Sequence, residues 1–250
     1  MRAHAISAMR VSKTFLIPHE PQSRLKERVV HPFRRTIYER NDALHDVKFE
    51  IEKGEFFGII GPNGCGKSTL LKILAGIYRA DSGTIRVNGR LSPFIELGGG
   101  FNAELSAREN ISINGMLLGL SRRQLAERFE AILEFAELER FVDQQLKNYS
   151  SGMMLRLAYS IAIQVPFDIL LLDEVLAVGD EDFQAKCFET FEMMRAQGKT
   201  IVFVSHDLGS VERFCDRAMY LSDGRVLRIG DPTEVIEAYR ERIARSHAFA

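Results

Sequence analysis

Nine consecutive residues constrain the fold of this chain more than any other feature. Residues 61–69 read Gly-Pro-Asn-Gly-Cys-Gly-Lys-Ser-Thr, a pattern typical of a loop that wraps phosphate groups. An apolar run at 56–60 precedes the loop, and a helical pattern from Lys67 to Gly76 follows it. Glycines let backbone N–H groups approach phosphates closely, and the start of a helix adds the positive end of its dipole. The sequence therefore predicts a strand, loop and helix that bind a nucleotide.

The residue types within this loop suggest separate roles. Lys67 would reach the β and γ phosphates and act in catalysis, and the Ser68 hydroxyl would ligate Mg²⁺. Backbone groups along the loop would hold the other phosphate oxygens. We predict nucleotide contacts from Gly61, Asn63, Gly64, Gly66, Lys67, Ser68 and Thr69.

A second apolar run ends in two neighbouring carboxylates. Asp173 closes the run that starts at Ile169, and Glu174 follows it directly. A neighbouring strand would present both acids to the phosphate loop. Asp173 is predicted to hold the metal, and Glu174 to act as the catalytic base that orients and deprotonates the attacking water.

Hydrophobic periodicity separates sheet-forming regions from helical ones. Runs at 9–15, 44–51 and 84–87 indicate a small sheet, and Asn88-Gly89 has the composition of a hairpin turn. Helical spacing dominates from about 106 to 165, and apolar runs at 169–172 and 201–204 flank a helical stretch at about 182–196. This order of strand and helix patterns along the chain predicts an α/β fold with a small antiparallel β-subdomain and a helical subdomain.

The length favours one domain over residues 1–250. Within it we predict a helical subdomain at approximately 98–165, a C-terminal helix at approximately 231–250, and a basic insert at approximately 18–42, after which the sheet resumes at Ala43. The insert is either a solvated surface loop or a basic face presented to anionic lipid headgroups. Its basic residues are Arg24, Lys26, Arg28, Arg34, Arg35 and Arg40.

Composition excludes several classes of protein. With 33 Lys and Arg against 34 Asp and Glu, no global field would draw the chain onto nucleic acid, and we expect no nucleic-acid partner. No stretch approaches the roughly 18 to 20 continuous apolar residues of a membrane span. The N-terminus lacks the apolar segment and cleavage site of a secreted protein. We expect a cytoplasmic chain.

Two further motifs narrow the class. Residues 149–153 read Tyr-Ser-Ser-Gly-Met, and residues 205–207, Ser-His-Asp, end the last apolar run. In this order and spacing the chain resembles the ATP-binding subunits of ABC transporters, from about Ile6 to Ala238. The resemblance implies an ABC-type P-loop NTPase fold, ATP hydrolysis with Mg²⁺, and a homodimer that encloses two nucleotides.

The resemblance also assigns roles to particular residues. Residues 149–153 match the family signature LSGGQ but keep only Ser150 and Gly152, which would contact the γ-phosphate of ATP bound to the opposite subunit. His206 matches the catalytic switch histidine that touches the γ-phosphate. Phe15 stands where an aromatic ring stacks on adenine, and Asp180 matches an acidic loop that communicates between the two sites.

One motif of the family, a glutamine after the first subdomain, is absent from this sequence. Where the family has a glutamine that senses metal and water, this sequence offers Glu96 or Leu97. We predict Glu96 as a metal ligand, because only its side chain can ligate a metal or hydrogen-bond water.

Segments 95–101, 108–110 and 149–153 resemble one branch of the family, the ATP-binding subunits of bacterial exporters of O-antigen, capsule and teichoic acid. The resemblance to that branch implies an integral-membrane permease as partner. It also implies a lipid-linked polysaccharide, with which the chain would interact by way of the permease. It also implies a peripheral position on the cytoplasmic face of the inner membrane.

Other functions remain as alternatives. Another ABC transporter subtype, an importer or a drug exporter, would share these motifs and differ in its membrane partner. A DNA-repair ATPase of the same family is disfavoured because Lys67 and Ser150 lie too close in sequence for an intervening coiled coil. Soluble translation ATPases of the family normally carry two cassettes, and this chain has one.

Overall fold

The computed structural model describes residues 3–18, 38–94, 100–173 and 181–248. Within these ranges the strands are β1 (His4–Pro18), β2 (Tyr38–Glu52), β3 (Phe56–Ile60), β4 (Ser82–Val87), β5 (Leu91–Phe94), β6 (Ile169–Asp173), β7 (Thr200–Val204), β8 (Arg217–Ser222) and β9 (Arg225–Gly230). The α-helices are α1 (Lys67–Leu74), α2 (Ala107–Leu117), α3 (Arg122–Ala136), α4 (Ser151–Gln164), α5 (Glu181–Ala196), α6 (Leu208–Phe214) and α7 (Pro232–Ala248).

A six-stranded sheet with the order β5-β6-β7-β3-β8-β9 lies at the centre of the fold. Its strands are parallel except β9, which runs antiparallel to β8. Every residue of β3 and β7 is buried, which explains their continuous apolar sequences, since helices or a second sheet cover both faces. The second sheet, with the order β2-β1-β4, is antiparallel.

Two expectations about the strands are wrong. β2 begins at Tyr38 rather than at Ala43, because residues 38–42 pair with the end of β1. Asn88-Gly89 does not join a hairpin, because β4 pairs with β1 whereas β5 pairs with β6 in the other sheet. The Asn88 N–H instead donates to the Ala5 carbonyl oxygen at 2.8 Å. This dipeptide therefore carries the chain from one sheet to the other.

Polar side chains define where α2 and α3 begin. Ser106 accepts a hydrogen bond from the N–H of Glu109, whose carboxylate accepts one from the N–H of Ser106. Ser121 and Gln124 form the same reciprocal pair before α3. Each capping box satisfies N–H groups that have no partner within the helix.

The buried side chains form three clusters. One face of the central sheet packs against residues of α4 to α7, the other face packs against α1 and the three-stranded sheet, and a third cluster lies among α2, α3 and α4. Phe56 and Ile60 belong to the first cluster and Phe57 and Ile59 to the second, as the alternation of a strand requires. The predicted α/β class, with an antiparallel sheet and a helical segment, is confirmed. In the described ranges, no helix is both long and apolar enough to cross a bilayer.

Candidate nucleotide-binding site

Three parallel strands bring the sequence motifs to one edge of the central sheet. Ile59 of β3 lies opposite Val204 of β7, and Val204 lies opposite Asp173 of β6. The strands therefore end side by side, and the chain continues into the phosphate loop after β3 and into Ser205-His206 after β7. The carboxyl ends of parallel strands are where α/β proteins bind their ligands.

Two glycines of the loop lie so close to neighbouring backbone that no side chain would fit there. Gly61 and Gly66 have φ angles of 155° and 109°. A Cβ at Gly61 would lie 2.1 Å from the carbonyl oxygen of Leu221, and one at Gly66 would lie 2.5 Å from that of Ala43. Gly64 also has a positive φ, 76°, but faces open space. The loop is thus pressed against β8 and β2, while residues 62–64 remain exposed.

The Lys67 side chain lies on the inner side of this loop and is 6% exposed. Its Nζ donates hydrogen bonds to the carbonyl oxygens of Gly61 at 2.8 Å and Pro62 at 3.0 Å. Neither of these partners carries a charge. A buried ammonium group held by neutral carbonyls favours the approach of an anion, whose charge would complement its own.

The other loop side chains differ in exposure. Ser68 is exposed and Thr69 is half-buried in the first turn of α1, whereas Cys65 is buried behind the loop. Burial raises the pKa of the Cys65 thiol above its ordinary 9.0, although the nearby Lys67 opposes that shift. Cys65 therefore stays protonated at neutral pH and acts as a packing residue.

The acid and the histidine lie on neighbouring strand ends. Asp173 is half-buried at the end of β6, and His206 is exposed immediately after β7. Asp207 caps α6, since its carboxylate accepts from the N–H of Gly209 at 3.0 Å, and this cap fixes the turn that carries His206. Three predicted functional residues lie outside the described residues: Glu96, Glu174 and Asp180.

Residues 149–153 lead into α4, which begins at Ser151. Tyr149, at the position where the family signature has leucine, is buried, and its hydroxyl donates to the carbonyl oxygen of Phe141 at 2.7 Å. Burial raises the pKa of Tyr149 to about 12. Ser150 caps the helix, and its Oγ accepts from the N–H of Met153 at 3.1 Å. Tyr149 therefore anchors the segment in the helical layer.

Gly152 differs from the loop glycines because the described chain does not crowd it. Apart from its two chain neighbours and the backbone of its own helix, the one described atom within 4 Å of a Cβ built there is Ser150 Oγ, at 3.8 Å. Helix α4 packs on α2, α3 and β5, whereas α1 packs on β2 and β6. The structure thus brings Asp173 and His206 to the edge that carries the phosphate loop, and places Ser150 and Gly152 in a different layer.

Phe15 lies near the end of β1 and is half-buried. Its ring centroid is 5.5 Å from that of Tyr78, at an interplanar angle of 68°. Tyr78 follows the end of α1 closely, and its N–H donates to the carbonyl oxygen of Lys72 in that helix. The predicted base-stacking residue therefore lies beside the segment that follows α1, the helix after the phosphate loop.

The sequence interpretation missed the residues around Phe15. Lys13 Nζ lies over the Phe15 ring, 5.3 Å from its centroid, and donates to Asp81 Oδ1 at 2.8 Å. The two-residue spacing of Lys13 and Phe15 indicates a shared face of the strand, and this signal could have been used. No local pattern links Lys13 to Asp81, which is 68 positions away in the sequence.

The predicted metal ligands within the described residues suit Mg²⁺. Ser68 offers a hydroxyl oxygen and Asp173 a carboxylate, and Mg²⁺ prefers oxygen ligands from one or two carboxylates together with substrate phosphates. In the part of the chain that the structure describes, no group of three or more His, Cys, Asp or Glu side chains could hold a metal ion by itself. Ser68 and Asp173 therefore fit an Mg²⁺ ion that takes its remaining ligands from the phosphate oxygens of a nucleotide.

Comparison with known proteins identifies the family. Residues 44–177 match the ABC transporter family. The O-antigen export system ATP-binding protein RfbB of Klebsiella pneumoniae is 43% identical over 242 residues, which cover 96% of this chain and 98% of that protein. The protein of the same name from Myxococcus xanthus is 48% identical over 82% of this chain, which spans 47% of its length. The teichoic acids export ATP-binding protein TagH of Bacillus anthracis is 37% identical over 92% of this chain, which spans 41% of its length.

A solved structure gives the same answer for the fold. A dimeric ATP-binding cassette in a post-hydrolysis state, bound to ADP and Pi, superposes with a TM-score of 0.73 at 24% identity, covering 91% of this chain and 98% of that one. The resemblance inferred from the phosphate loop, the signature segment and the histidine is confirmed. The chain belongs to the ABC transporter family and is one of its ATP-hydrolysing cassettes.

Proposed function

We propose that the chain powers the export of a lipid-linked polysaccharide, most directly an O-antigen, through a separate integral-membrane permease. The observation that carries this proposal is the similarity to the Klebsiella pneumoniae protein over nearly the whole length of both chains. Similarity to proteins named for teichoic acid export favours the same kind of cargo, a polymer. Another ABC transporter subtype is the alternative.

Within the site, the loop would hold ATP through its backbone N–H groups. Lys67 would exchange its bonds to the Gly61 and Pro62 carbonyls for the β and γ phosphates, where its charge stabilises the leaving group. Glu174 would deprotonate the attacking water, and His206 would contact the γ-phosphate. The parallel alignment of β3, β7 and β6 supports this assignment.

Ser68 and Asp173 would hold Mg²⁺, with Glu96 as a further ligand. The ion would neutralise charge on the phosphate oxygens when bound. Phe15 would stack on the adenine base.

The signature segment would act in a homodimer. Ser150 and Gly152 would contact the γ-phosphate bound by the partner subunit, and Asp180 would communicate between the two sites. Two features of the described residues support a role across subunits: no contact crowds Gly152, and α4 packs on different elements from those that α1 packs on. ATP would close the dimer because the closed state gains phosphate contacts from both subunits, and hydrolysis would reopen it.

The chain would act at the cytoplasmic face of the inner membrane, held there by its permease rather than by a span of its own. Its formal net charge of −1 supports the expectation that nucleic acid is not a partner.

Deletion and complementation in the cell that encodes the chain would test the cargo. We expect the deletion strain to lose surface polysaccharide and to accumulate lipid-linked polymer inside, because assembly continues without export. Wild-type protein should restore export, whereas Glu174→Gln at equal abundance should not. Both polymer pools can be measured by lipid extraction and surface labelling.

Normal surface polysaccharide in the deletion strain would overturn the proposal. Identification of the membrane protein that co-purifies with the chain would then show which other transporter subtype it serves.

A further inference from the structure

Phe15 is surrounded by side chains that have no role in the site as described so far. We propose that Lys13, Asp81 and Tyr78 are positioning residues that fix the Phe15 ring, so that the base-binding and phosphate-binding parts of the site form one rigid unit. The inference rests on the proposed function of Phe15 as the residue that stacks on the base.

Lys13 provides the first contact. Its side chain is only 16% exposed, and its Nζ lies 5.3 Å from the centroid of the Phe15 ring. An ammonium group over an aromatic face is attracted by the negative face of the ring. Lys13 thus covers one face of Phe15, and the base would stack on the opposite face.

Asp81 holds Lys13 in this place. Its Oδ1 accepts from Lys13 Nζ at 2.8 Å, its Oδ2 accepts from the N–H of Thr14 at 2.7 Å, and its own N–H donates to the carbonyl oxygen of Ser12 at 2.9 Å. The hydrogen bond from Lys13 is the largest cause that lowers the pKa of Asp81 below its ordinary 3.8. Asp81 therefore holds three consecutive residues of β1 directly before Phe15: its ionised carboxylate binds Lys13 and Thr14, and its own N–H binds Ser12.

Tyr78 connects the ring to the far end of the phosphate-binding helix. It meets Phe15 edge-on, its N–H donates to the Lys72 carbonyl oxygen at 3.1 Å, and Lys72 Nζ lies 5.6 Å from the Tyr78 ring centroid. Since Lys72 belongs to α1, the aromatic side chain that supports Phe15 is itself attached to α1.

A bulge connects the same strand pair to the start of that helix. Lys13 pairs with Leu44, but the register then shifts, so that Ala43 is an extra residue in β2. The carbonyl oxygen of Ala43 lies 2.5 Å from the position of a Cβ at Gly66, the residue that precedes α1. The pair of strands that carries Phe15 therefore contacts Gly66, directly before α1, and Tyr78, shortly after it. This arrangement would fix the distance between a stacked base and the bound phosphates.

Comparing the binding of two ligands would show whether Lys13 and Asp81 position the base or only stabilise the sheet. Dissociation constants would be measured for ATP and for inorganic tripolyphosphate, which has the phosphates but no base, each with Mg²⁺. The variants are Asp81→Asn, which keeps an acceptor for the Thr14 N–H, and Lys13→Met, which keeps an apolar stem. Asp46→Asn is the matched control, because Asp46 of β2 forms an ion pair of the same kind with Arg10 of β1, at 2.9 Å.

We expect Asp81→Asn and Lys13→Met to weaken ATP binding by about two- to tenfold, the range of one aromatic contact, and to leave tripolyphosphate binding unchanged. Asp46→Asn should change neither constant. Phe15→Ala should weaken ATP binding as well, and adding Asp81→Asn to it should weaken binding no further, since Asp81 acts through the ring.

Equal losses for both ligands, additive losses in the double variant, or unchanged ATP binding in Asp81→Asn would each overturn the inference. Unchanged ATP binding in Phe15→Ala would show instead that the base-stacking role of Phe15 is wrong. That result would leave ATP hydrolysis and export untouched as functions.

Discussion

At the residue scale, the glycines of the phosphate loop and of residues 149–153 are expected to differ in what each one is needed for. Gly61→Ala would force a Cβ to within 2.1 Å of the Leu221 carbonyl oxygen, so β8 and the loop would have to separate. We expect a loss of several kcal/mol in the free energy of unfolding, as for other backbone clashes. Urea denaturation would measure it.

The control for this clash is Gly64→Ala, where the φ of 76° is strained but the space is open. Its loss should be only about 1 kcal/mol. If both substitutions had equal effects, backbone conformation rather than packing against Leu221 would determine the need for glycine.

Gly152→Ala should lower ATP hydrolysis rather than stability, in contrast to Gly61→Ala. No described contact crowds this position, and alanine favours the first turn of α4 by up to about 1 kcal/mol. We expect thermal stability to be unchanged or slightly raised, whereas ATP hydrolysis should fall by about tenfold or more, because the added methyl group would lie against the partner's phosphate. Lower stability with normal hydrolysis would argue against an intersubunit role.

The phosphate loop could be predicted because its requirements are local: glycine, lysine and hydroxyl residues in one short stretch between a strand and a helix. The support of Phe15 could not, because Asp81 meets Lys13 only after β1 and β4 have paired. The role of Tyr149 could not be predicted either, because its sequence shows only a departure from the family signature. In the structure Tyr149 is buried, and its hydroxyl donates to the Phe141 carbonyl oxygen.

At the scale of elements, α2 and α3 begin with equivalent capping boxes that respond differently to pH. Hydrogen bonds from the Ser106 side chain and backbone hold the pKa of Glu109 below its ordinary 4.5. Since the folded-state pKa is the lower one, the stability contributed by the carboxylate is fully present above pH 4.5 and is lost as the pH falls through the lowered value. Gln124 in the other box does not titrate.

We therefore expect Glu109→Gln to lower the urea midpoint at pH 7 and to have progressively less effect below pH 4.5. Gln124→Ala, the control, should lower the midpoint by a similar amount at both pH values. A constant difference between Glu109→Gln and wild type across this range would contradict the sign of the pKa shift.

The errors in the strand predictions also have a cause at this scale. Asn88-Gly89 suits a tight turn locally, but β4 pairs with β1 in the three-stranded sheet and β5 joins the central sheet. Tyr38 to Asp42 contain too many polar residues to show a strand pattern, yet they extend β2 because β1 offers a continuous partner. The apolar strands could be predicted from the sequence, whereas the polar start of β2 and the choice of strand partners depended on tertiary contacts.

At the scale of the whole molecule, the proposed enclosure of ATP by two chains predicts how the mass should respond to nucleotide. Glu174→Gln should bind ATP without turnover, so the closed dimer should accumulate. We expect a monomer mass without nucleotide and a dimer mass with ATP and Mg²⁺, measured by size-exclusion chromatography with light scattering. A monomer in both conditions would mean that the permease is needed for closure or that residues 149–153 do not contact nucleotide.

Mixing two inactive variants would test whether one site draws on two chains. Lys67→Ala lacks the lysine proposed to bind phosphate, and Gly152→Asp places a negative charge where the partner's phosphates would lie, so each should be inactive alone. In a mixed dimer one site combines both defects, and the other combines the intact loop of one chain with the intact signature segment of the other. ATP turnover in the mixture should therefore exceed the sum of the separate variants. If turnover stayed at that sum although mixed dimers formed, Lys67 and Gly152 would serve the same nucleotide within one chain, and the packing of α4 away from α1 would need another explanation.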